Sequence, residues 1–348
     1  MTTVPGGRDV ARVQGEPVDF ERHRVELTGY CYRMLGSGFE AEDAVQETFV
    51  RAWRTYDPDR GPLRSWLFHL ATNICLDMLR GPQRRARAMD LAPAAVPGAD
   101  LGVPLPPERW IQPIPDTMAL PADPAELAVA RETIRLAFVA ALQRLAPRQR
   151  AVLILRDVLK WSAAETATLL ETTVTSINST LQRARAKLPA TSPPMPSSGA
   201  VDEELLARYV SAFERYDVAA LVSLLHEDAT MSMPPFTWWL RGRGSIRTVL
   251  LAAASGEPGT AGTSGAYGGS DGSGEPSGSG APCAGSRLLP TRANGSPAFG
   301  QYTDGEAFAL VVFDIADGRI TDTTTYLDPD LFPFFGLPMS LGRALRTE

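Results

Sequence analysis

The stretch LAPRQRAVLILRDVLKWSAAETATLLETTVTSINSTLQRARAKL, residues 145–188, decides the fold of the middle of the chain. Pro147 suits the first turn of a helix, and apolar residues follow it at helical spacing. Ser162 and Glu165 form the capping-box pattern that begins a second helix, and Thr173 is placed to cap a third. In the third helix the apolar positions predict a buried stripe of Val174, Ile177, Leu181, Ala184 and Leu188.

Two helices joined by a short turn are typical of a helix-turn-helix, whose second helix enters the major groove of DNA. Amide side chains can pair with adenine and arginine with guanine or phosphate, while small hydroxyl residues allow close approach. Glu171 occupies the turn, where a glycine is common. The same pattern also fits a three-helix packing module that binds no DNA. The residues predicted to face DNA are Thr175, Asn178, Ser179, Gln182 and Arg183.

Charge is distributed unevenly along the 348 residues, whose net charge is -6. Residues 131–188 hold ten basic and four acidic residues, a net charge of +6, and so can meet phosphate. Residues 201–348 hold ten basic and eighteen acidic residues, a net charge of -8. This asymmetry predicts one DNA-facing part and one part with another task.

A further helical domain is predicted over residues 20–88. In DAVQETFVRAW, which begins at Asp43, Val45, Phe49, Ala52 and Trp53 share one helix face, and the opposite face is polar. A second helix, WLFHLATNICLDMLR, begins at Trp66 and ends before Gly81 and Pro82. Its polar stripe contains Asn73, Asp77 and Arg80. On pattern alone, both polar faces are equally typical of ordinary solvated helix surfaces, and Trp66 is equally typical of a core.

Composition places the boundaries between domains. Residues 89–124 form a Pro-rich linker with nine prolines, whose one apolar anchor is WIQPIPD, residues 110–116. Residues 125–188 carry the helix-turn-helix, residues 189–200 form a second linker, and residues 201–348 form the last domain. Residues 255–286 hold eleven glycines and seven serines and predict a disordered insertion within that domain.

The sequence of the last domain predicts an α+β fold. Two amphipathic helices bend near Tyr216 and Asp217, and strands joined by the turn Ala316–Arg319 follow. Helices followed by curved strands suit a cone-shaped fold. The mouth of the cone could hold an apolar ligand, or its apolar residues could form the core. The residues concerned are Met231, Met233, Phe236, Trp238 and Trp239. For a general base the candidates are His226, Asp228, Asp314 and Asp322, which no sequence spacing pairs.

Several classes of site are not expected. The three cysteines and three histidines are scattered without metal-ligand spacing, so we expect no metal site, no cofactor and no disulfide framework. No apolar run is long enough to span a bilayer, and the N-terminus has no signal-peptide pattern. We therefore expect a cytoplasmic protein with no membrane association.

Taken together, these segments resemble the extracytoplasmic-function (ECF) sigma factors of bacterial RNA polymerase. DAVQETFVRAW is similar to their region 2.2, RSWLFHLATNICLDMLR to regions 2.3 and 2.4, and residues 145–188 to region 4. The tail resembles a SnoaL-like domain, and WIQPIPD, ANGSPA and DPDLFPFFGLP are similar to segments of sigma factors that carry one. The resemblance implies two all-α sigma domains and a C-terminal α+β SnoaL-like cone, without an enzymatic activity.

The resemblance also implies residue roles. Asp43, Gln46, Glu47 and Arg51 would bind the β′ clamp helices, and the helix near Arg148–Val158 would touch the β flap. Trp66, Asn73, Asp77 and Arg80, with the loop 55–63, would lie against the minus-10 element and capture an unstacked base. Thr175, Asn178, Ser179, Gln182 and Arg183 would meet the minus-35 element. Separately from the resemblance, we hypothesise that the SnoaL-like domain regulates activity in cis by contacting the first linker and setting the separation of the two DNA-binding domains. The covalent attachment and the Trp110 anchor in an otherwise featureless linker motivate this hypothesis.

Two other functions remain open at this point. A stand-alone helix-turn-helix regulator with a ligand-sensing SnoaL-like tail would bind promoters without polymerase, and it leaves DAVQETFVRAW unexplained. An enzyme acting on a polyketide-like or steroid-like molecule would use the tail alone and leaves both helical domains unexplained. The sequence gives neither the promoter, the inducing signal, a ligand of the tail nor an anti-sigma protein.

Overall fold

The computed structural model describes residues 12–13, 16–17, 19–81, 85–188, 203–255 and 285–342. The chain divides into two compact units, a helical unit (residues 1–84 and 111–191) and a sheet unit (residues 85–110 and 192–348). Most of the predicted Gly/Ser-rich insertion, residues 256–284, lies outside the described residues, as does the predicted linker 189–200.

Nearly all of the described secondary structure in the helical unit is helical. A short hairpin, β1 (Arg12–Val13) and β2 (Glu16–Pro17), precedes α1 (Arg24–Leu35), α2 (Gly38–Thr55) and α3 (Leu63–Met78). The next helix, α4 (Ala88–Leu91), belongs to the sheet unit. The helical unit continues with α5 (Asp116–Ala119), α6 (Pro124–Ile134), α7 (Leu136–Gln143), α8 (Pro147–Leu153), a π-helical turn (Ile154–Val158), α9 (Ala163–Leu169) and α10 (Val174–Lys187).

Local sequence signals fix the starts of these helices. The Ser37 side chain accepts a hydrogen bond from the Glu40 amide at the start of α2, and Thr173 caps α10 in the same way. The predicted capping box between Ser162 and Glu165 is present, with both reciprocal bonds formed. The turn before α10 places Glu171 at φ 50°, a left-handed conformation that favours glycine. The predicted helix-turn-helix is therefore formed, with a non-glycine residue at its tightest point.

Apolar residues at three helix ends are exposed, among them Trp53 and Val174 of the predicted apolar faces. Trp53 is 43% exposed, Met78 41% and Val174 43%. Each lies in the first or last turn of its helix, where the apolar stripe runs beyond the neighbouring helices. The centre of the predicted α10 stripe is buried, at Ile177, Leu181 and Ala184.

Buried arginines join the two halves of the helical unit. Arg33 on α1 donates to the carbonyl oxygens of Thr133 and Ala130 in α6, at 3.1 and 3.4 Å. Arg150 on α8 donates to the carbonyl oxygen of Met34 on α1 and, at 3.0 Å, to that of Leu142. Both residues are buried, so these bonds are shielded from water.

The sheet unit contains α11 (Glu203–Glu214), α12 (Val218–Leu224) and α13 (Arg243–Ser255), a six-stranded sheet and the short α14 (Leu331–Phe334). The strand order is β4-β3-β8-β7-β6-β5, and only β3 and β8 pair in parallel. The strands are β3 (Leu225–Ser232), β4 (Trp239–Arg241), β5 (Arg287–Ala293), β6 (Ser296–Thr303), β7 (Glu306–Ala316) and β8 (Arg319–Tyr326).

Turn residues are where the sequence predicts them. Asp317 and Gly318 join β7 to β8 with φ values of 50° and 66°, as a two-residue hairpin turn of positive φ requires. Tyr216 and Asp217 form the bend between α11 and α12, and Asp217 caps α12. The predicted α+β architecture of the tail is thus observed, with helices packed on a mostly antiparallel sheet.

The predicted linker is divided between the units. We call residues 85–110 the strap, since they pack with the sheet unit, whereas residues 111–124 belong to the helical unit. The two ends of the strap are held together. The amide of Ala86 donates to the carbonyl oxygen of Arg109 at 2.9 Å, and the guanidinium of Arg85 donates to the carbonyl oxygens of Pro107 and Trp110, both at 2.9 Å.

Replacing Arg150 by methionine should destabilise the helical unit. Methionine keeps much of the side-chain volume but leaves the carbonyl oxygens of Met34 and Leu142 without this donor, so we expect a loss of about 3 kcal/mol or more. Arg148→Met is the matched control, because exposed Arg148 makes one carbonyl contact, to Leu170 at 3.0 Å. Urea unfolding followed by circular dichroism measures both. Equal losses in the two variants would contradict the role given to Arg150.

Candidate DNA, polymerase and ligand sites

The predicted minus-35 side chains lie together on one exposed face of α10. All five are exposed, and the opposite face is buried against α8 and α9. The Arg183 guanidinium donates to Thr180 Oγ1 of its own helix at 3.1 Å, whereas Arg185 pairs with Asp157 at 2.6 Å. The ion pair with Asp157 raises the pKa of Arg185. A face of this kind presents amide, hydroxyl and guanidinium groups at the spacing of a major-groove reader.

The predicted polymerase-binding side chains lie on α2. Asp43, Gln46, Glu47 and Arg51 are exposed, while Val45 and Ala52 on the opposite face are fully buried. Glu47 and Arg51 form an ion pair at 2.7 Å across one helical turn. The polar surface of α2 is therefore accessible along its length.

Three of the predicted minus-10 residues lie on α3, and Arg80 lies two residues beyond its end at Met78. Asn73, Asp77 and Arg80 are exposed, and Asp77 pairs with Arg80 at 2.8 Å. Trp66 is half-buried and stacks on the ring of His69 with a centroid distance of 6.0 Å. Its indole nitrogen is buried and has no hydrogen-bond partner among the described residues. The sequence left Trp66 open between core and site, and the structure gives it features of both.

A contact that the sequence does not predict joins α3 to α9. His69 Nδ1 lies 3.0 Å from the carbonyl oxygen of Leu169. Because a carbonyl can only accept, Nδ1 carries the proton, and Nε2 accepts from the Asn73 amide at 3.1 Å. Nearby, Phe68 packs on Trp161 with ring centroids 5.2 Å apart. Asn73 is thus held by a histidine that is itself bound to the helix-turn-helix.

Two thiols that are distant in sequence also meet in the helical core. Cys31 and Cys75 are both fully buried and reduced. Burial and the neighbouring Cys31 raise the pKa of the Cys75 thiol well above its ordinary value. Since the thiolate is the reactive form, these cysteines are structural rather than nucleophilic.

In the sheet unit, the structure pairs two of the candidate catalytic acids. Asp314 on β7 and Asp322 on β8 lie directly opposite each other, a proximity that the sequence spacing does not reveal. Asp322 accepts hydrogen bonds from the hydroxyls of Thr230 and Thr324. Desolvation, and then the charge of Asp314, raise the pKa of Asp322 to about 6.

The paired acids face away from the cavity of the sheet unit. The cavity is lined by Thr323 and Thr325 of β8, so the alternation of side chains along the strand puts Asp322 on the opposite face. None of the four candidate bases is among the described residues that line the cavity. Among the described residues there is also no cluster of histidine, cysteine and carboxylate groups that suits a metal ion, and no helix long and apolar enough to cross a bilayer.

The apolar residues of the tail divide between the two alternatives that the sequence left open. Met231, Met233 and Trp238 line the cavity, whereas Phe236 is buried in the core without lining it. Trp239 does neither: its indole N–H donates to the carbonyl oxygen of Ala92 in the strap, at 2.8 Å.

Comparison with known proteins identifies the family. The Sigma-70 region 2 model matches residues 20–85, and the Sigma-70 region 4 model matches residues 135–188. The chain is 42% identical to the ECF RNA polymerase sigma factor SigG of Mycobacterium tuberculosis over 92% of this chain and 83% of SigG. The chain belongs to the ECF RNA polymerase sigma factors. It is therefore a promoter-directing subunit of bacterial transcription, as the resemblance implies.

Two further similarities concern SigJ of Mycobacterium tuberculosis. The sequences are 31% identical over 62% of this chain and 64% of SigJ. The crystal structure of SigJ superposes with a TM-score of 0.54 at 23% identity, covering 92% of this chain and 99% of SigJ. The sigma factor therefore shares its fold with SigJ through all three parts, and the predicted fold class, two helical sigma domains followed by an α+β SnoaL-like domain, is confirmed.

The raised pKa of Asp322 predicts that the stability of the sheet unit depends on pH. The folded-state pKa of Asp322 is about 6, against an ordinary aspartate value of 3.8. Asp322 therefore favours folding while it is protonated, and this contribution is lost as the pH rises through about 6. Asp322→Asn should remove that loss and stabilise the unit by about 1 to 3 kcal/mol at pH 7.5. Little difference is expected at pH 4. Urea unfolding at both pH values checks this.

Asp314→Asn is the matched control for that measurement, since it removes one cause of the raised pKa and leaves desolvation in place. A smaller gain is expected from it. A gain for Asp322→Asn that is the same at pH 4 and pH 7.5 would show that the carboxyl does not titrate as described.

Proposed function

We propose that this sigma factor binds core RNA polymerase through the polar face of α2 and reads promoter DNA with two separate helices. Exposed Asp43, Gln46, Glu47 and Arg51 would contact the β′ clamp helices, and the segment Arg148–Val158 would contact the β flap. The observation that carries the proposal is the formation of two amphipathic helices, α2 and α10, whose predicted contact residues are all exposed. The chain would act in the cytoplasm, where polymerase and promoters are found.

DNA recognition would be shared between α3 and α10. Trp66, Asn73, Asp77 and Arg80 would lie against the minus-10 element, with the half-buried Trp66 beside an unstacked base. Thr175, Asn178, Ser179, Gln182 and Arg183 would read the minus-35 element in the major groove. Each contact alone is weak, and polymerase would make the binding bivalent by holding both regions over one duplex.

The free protein would be in a closed state. His69 is bound to Leu169 and holds the amide of Asn73, so a predicted minus-10 residue is occupied while α3 stays against α9. Arg33 and Arg150 add buried bonds between the same two halves. Polymerase binding would have to break these contacts before α3 and α10 could bind separate promoter elements. This favours a sigma factor over a stand-alone regulator, because the latter needs no such opening.

The SnoaL-like domain would regulate this opening in cis through the strap. The chain leaves the helical unit at Arg84 and returns at Ile111, so the strap is the covalent link between the two DNA-binding regions. Fully extended at ~3.4 Å per residue, it could span about 90 Å. With its ends joined at Ala86 and Arg109 it spans far less. Docking of the strap on the sheet unit would therefore limit how far the two regions separate.

Arg183→Ala should alter promoter preference at one minus-35 position. We expect a loss of about 1 to 3 kcal/mol in discrimination there, because the guanidinium would otherwise pair with a base edge. Arg185→Ala is the matched control, since that arginine is paired with Asp157. Run-off transcription by core polymerase on a set of minus-35 variants measures both. Unchanged preference in Arg183→Ala would remove the proposed contact.

Release of the strap should broaden the promoter spacing that the sigma factor accepts. Trp239→Phe removes the bond to Ala92, and a chain cut after Ala200 removes the whole sheet that holds the strap. Run-off transcription on promoters with spacers lengthened or shortened by one or two base pairs is the measurement. We expect a narrow optimum for the full chain and a wider one for both variants. Identical output with and without the SnoaL-like domain would overturn regulation in cis.

A further inference from the structure

The sheet unit contains a cavity that no role in promoter recognition explains. It has a volume of about 120 Å³ and lies between the sheet and helices α11, α12 and α13. Its walls include Tyr209, Met231, Met233, Trp238 and Val311. An engineered protein cavity of about 150 Å³ stays dry and binds benzene, so the space suits a molecule of roughly one ring.

The chemistry of the walls limits what the cavity can hold. Every described residue that lines it is uncharged, so an ionised ligand would be left without a counter-charge. Polar groups are nevertheless present, at Gln301, Thr323 and Thr325. Trp238 is 5% exposed, and its buried indole N–H has no hydrogen-bond partner among the described residues. Buried donors in folded proteins are almost always paired, so this N–H is a donor still to be satisfied.

We propose that the cavity binds a small neutral one-ring compound whose single acceptor, such as an aryl ketone oxygen, takes the hydrogen bond of Trp238. The ligand regulates the sigma factor by strengthening the docking of the strap. This proposal rests on the proposed function, because regulation through the strap gives ligand binding its consequence.

The same short segment of chain forms a cavity wall and holds the strap. Met233 and Trp238 line the cavity. Between and beside them, the carbonyl oxygen of Pro235 accepts from the amide of Leu105, and that of Trp239 accepts from the amide of Ala95, both at 2.8 Å. A ligand that orders residues 233–239 therefore also orders the two carbonyl oxygens that accept hydrogen bonds from the strap.

Consecutive tryptophans divide these tasks. Trp238 lines the cavity, and Trp239 donates to Ala92 of the strap. Because neighbouring residues in an extended chain point to opposite sides, one residue pair connects the cavity to the strap without an intervening layer. Ala95 and Leu101 of the strap also pack against the core cluster that contains Trp238.

Binding is tested on the full chain with three probes of similar size. Acetophenone is neutral and has one acceptor, ethylbenzene lacks the acceptor, and benzoate is charged. Saturation-transfer NMR and calorimetry should show that acetophenone binds more tightly than ethylbenzene and that benzoate does not bind. Trp238→Phe should weaken acetophenone binding roughly 2- to 12-fold, the range of one neutral hydrogen bond, and should leave ethylbenzene binding nearly unchanged.

Trp161→Phe is the matched control. The indole N–H of Trp161 is also buried and has no hydrogen-bond partner among the described residues, but it belongs to the helical unit. It should leave the preference for acetophenone intact. Hydrogen exchange reports the second half of the proposal: acetophenone should slow exchange of the Ala95 and Leu105 amides in the wild type, and less so in Trp238→Phe.

The outcomes separate this proposal from the proposed function. The cavity assignment is overturned if acetophenone does not bind, or if Trp238→Phe does not weaken its binding. This holds even where cutting the chain after Ala200 still broadens the range of promoter spacings that the sigma factor accepts. Binding without slower exchange at Ala95 and Leu105 overturns regulation through the strap by a ligand. If removal of the SnoaL-like domain leaves transcription unchanged, regulation in cis fails, while the binding data alone still decide whether the cavity takes the ligand.

Discussion

Buried guanidinium groups bonded to backbone carbonyls hold this chain in its observed arrangement. Arg33 and Arg150 join the halves of the helical unit, and Arg85 closes the ends of the strap. Burial lowers the pKa of Arg33 to about 10, so the group keeps its charge at neutral pH at a cost in desolvation. Buried polar contacts of this type specify an arrangement more than they stabilise it, because their bonds largely offset the cost of removing the charge from water. In the proposed function, these buried arginine contacts would define one closed state, which the binding of RNA polymerase would open.

The sheet unit adds a second constraint, on chain length rather than on contacts. Bringing Ala86 and Arg109 together costs loop-closure entropy, and this cost is smaller while the rest of the strap is bound to the sheet unit than when the strap is free. Trp239 and Pro235 supply the bonds that hold it. In the proposed function, the SnoaL-like domain would therefore act by holding the strap rather than by catalysing a reaction.

Local rules predicted the parts of the fold that depend on neighbouring residues. The capping box at Ser162, the hairpin turn at Asp317 and Gly318 and the polar face of α10 all follow from side chains within a few positions of one another. The pairing of Asp314 with Asp322 was missed, because the register of two strands is a long-range property. The contact of His69 with Leu169 was missed for the same reason, since 100 positions separate the two residues.

The burial of arginines was the least predictable feature of all. Arg150 looks like any basic residue of a charged helix face, and the segment Arg148–Val158 was expected to be a partner surface. In the structure Arg150 is buried while Arg148 is exposed. Nothing in the local pattern separates the two, because what decides their burial is the approach of α1 from more than 100 positions away.

Regulation of such a protein requires only a small bias. A ligand shifts the equilibrium between the docked and the released strap by its difference in affinity for the two states. A ligand whose cavity wall is ordered only while the strap is docked would therefore regulate the sigma factor without contacting DNA. The cavity and the paired acids lie on opposite faces of the sheet, since Thr323 and Thr325 line the former while Asp322 points away. Binding in the cavity and proton uptake at Asp322 are therefore separate inputs to one domain. Arg87 of the strap lowers the pKa of Asp322, so linkage requires that ionised Asp322 in turn favours the docked position of Arg87. Both inputs thus act on the strap, which alone connects the two DNA-binding regions along the chain.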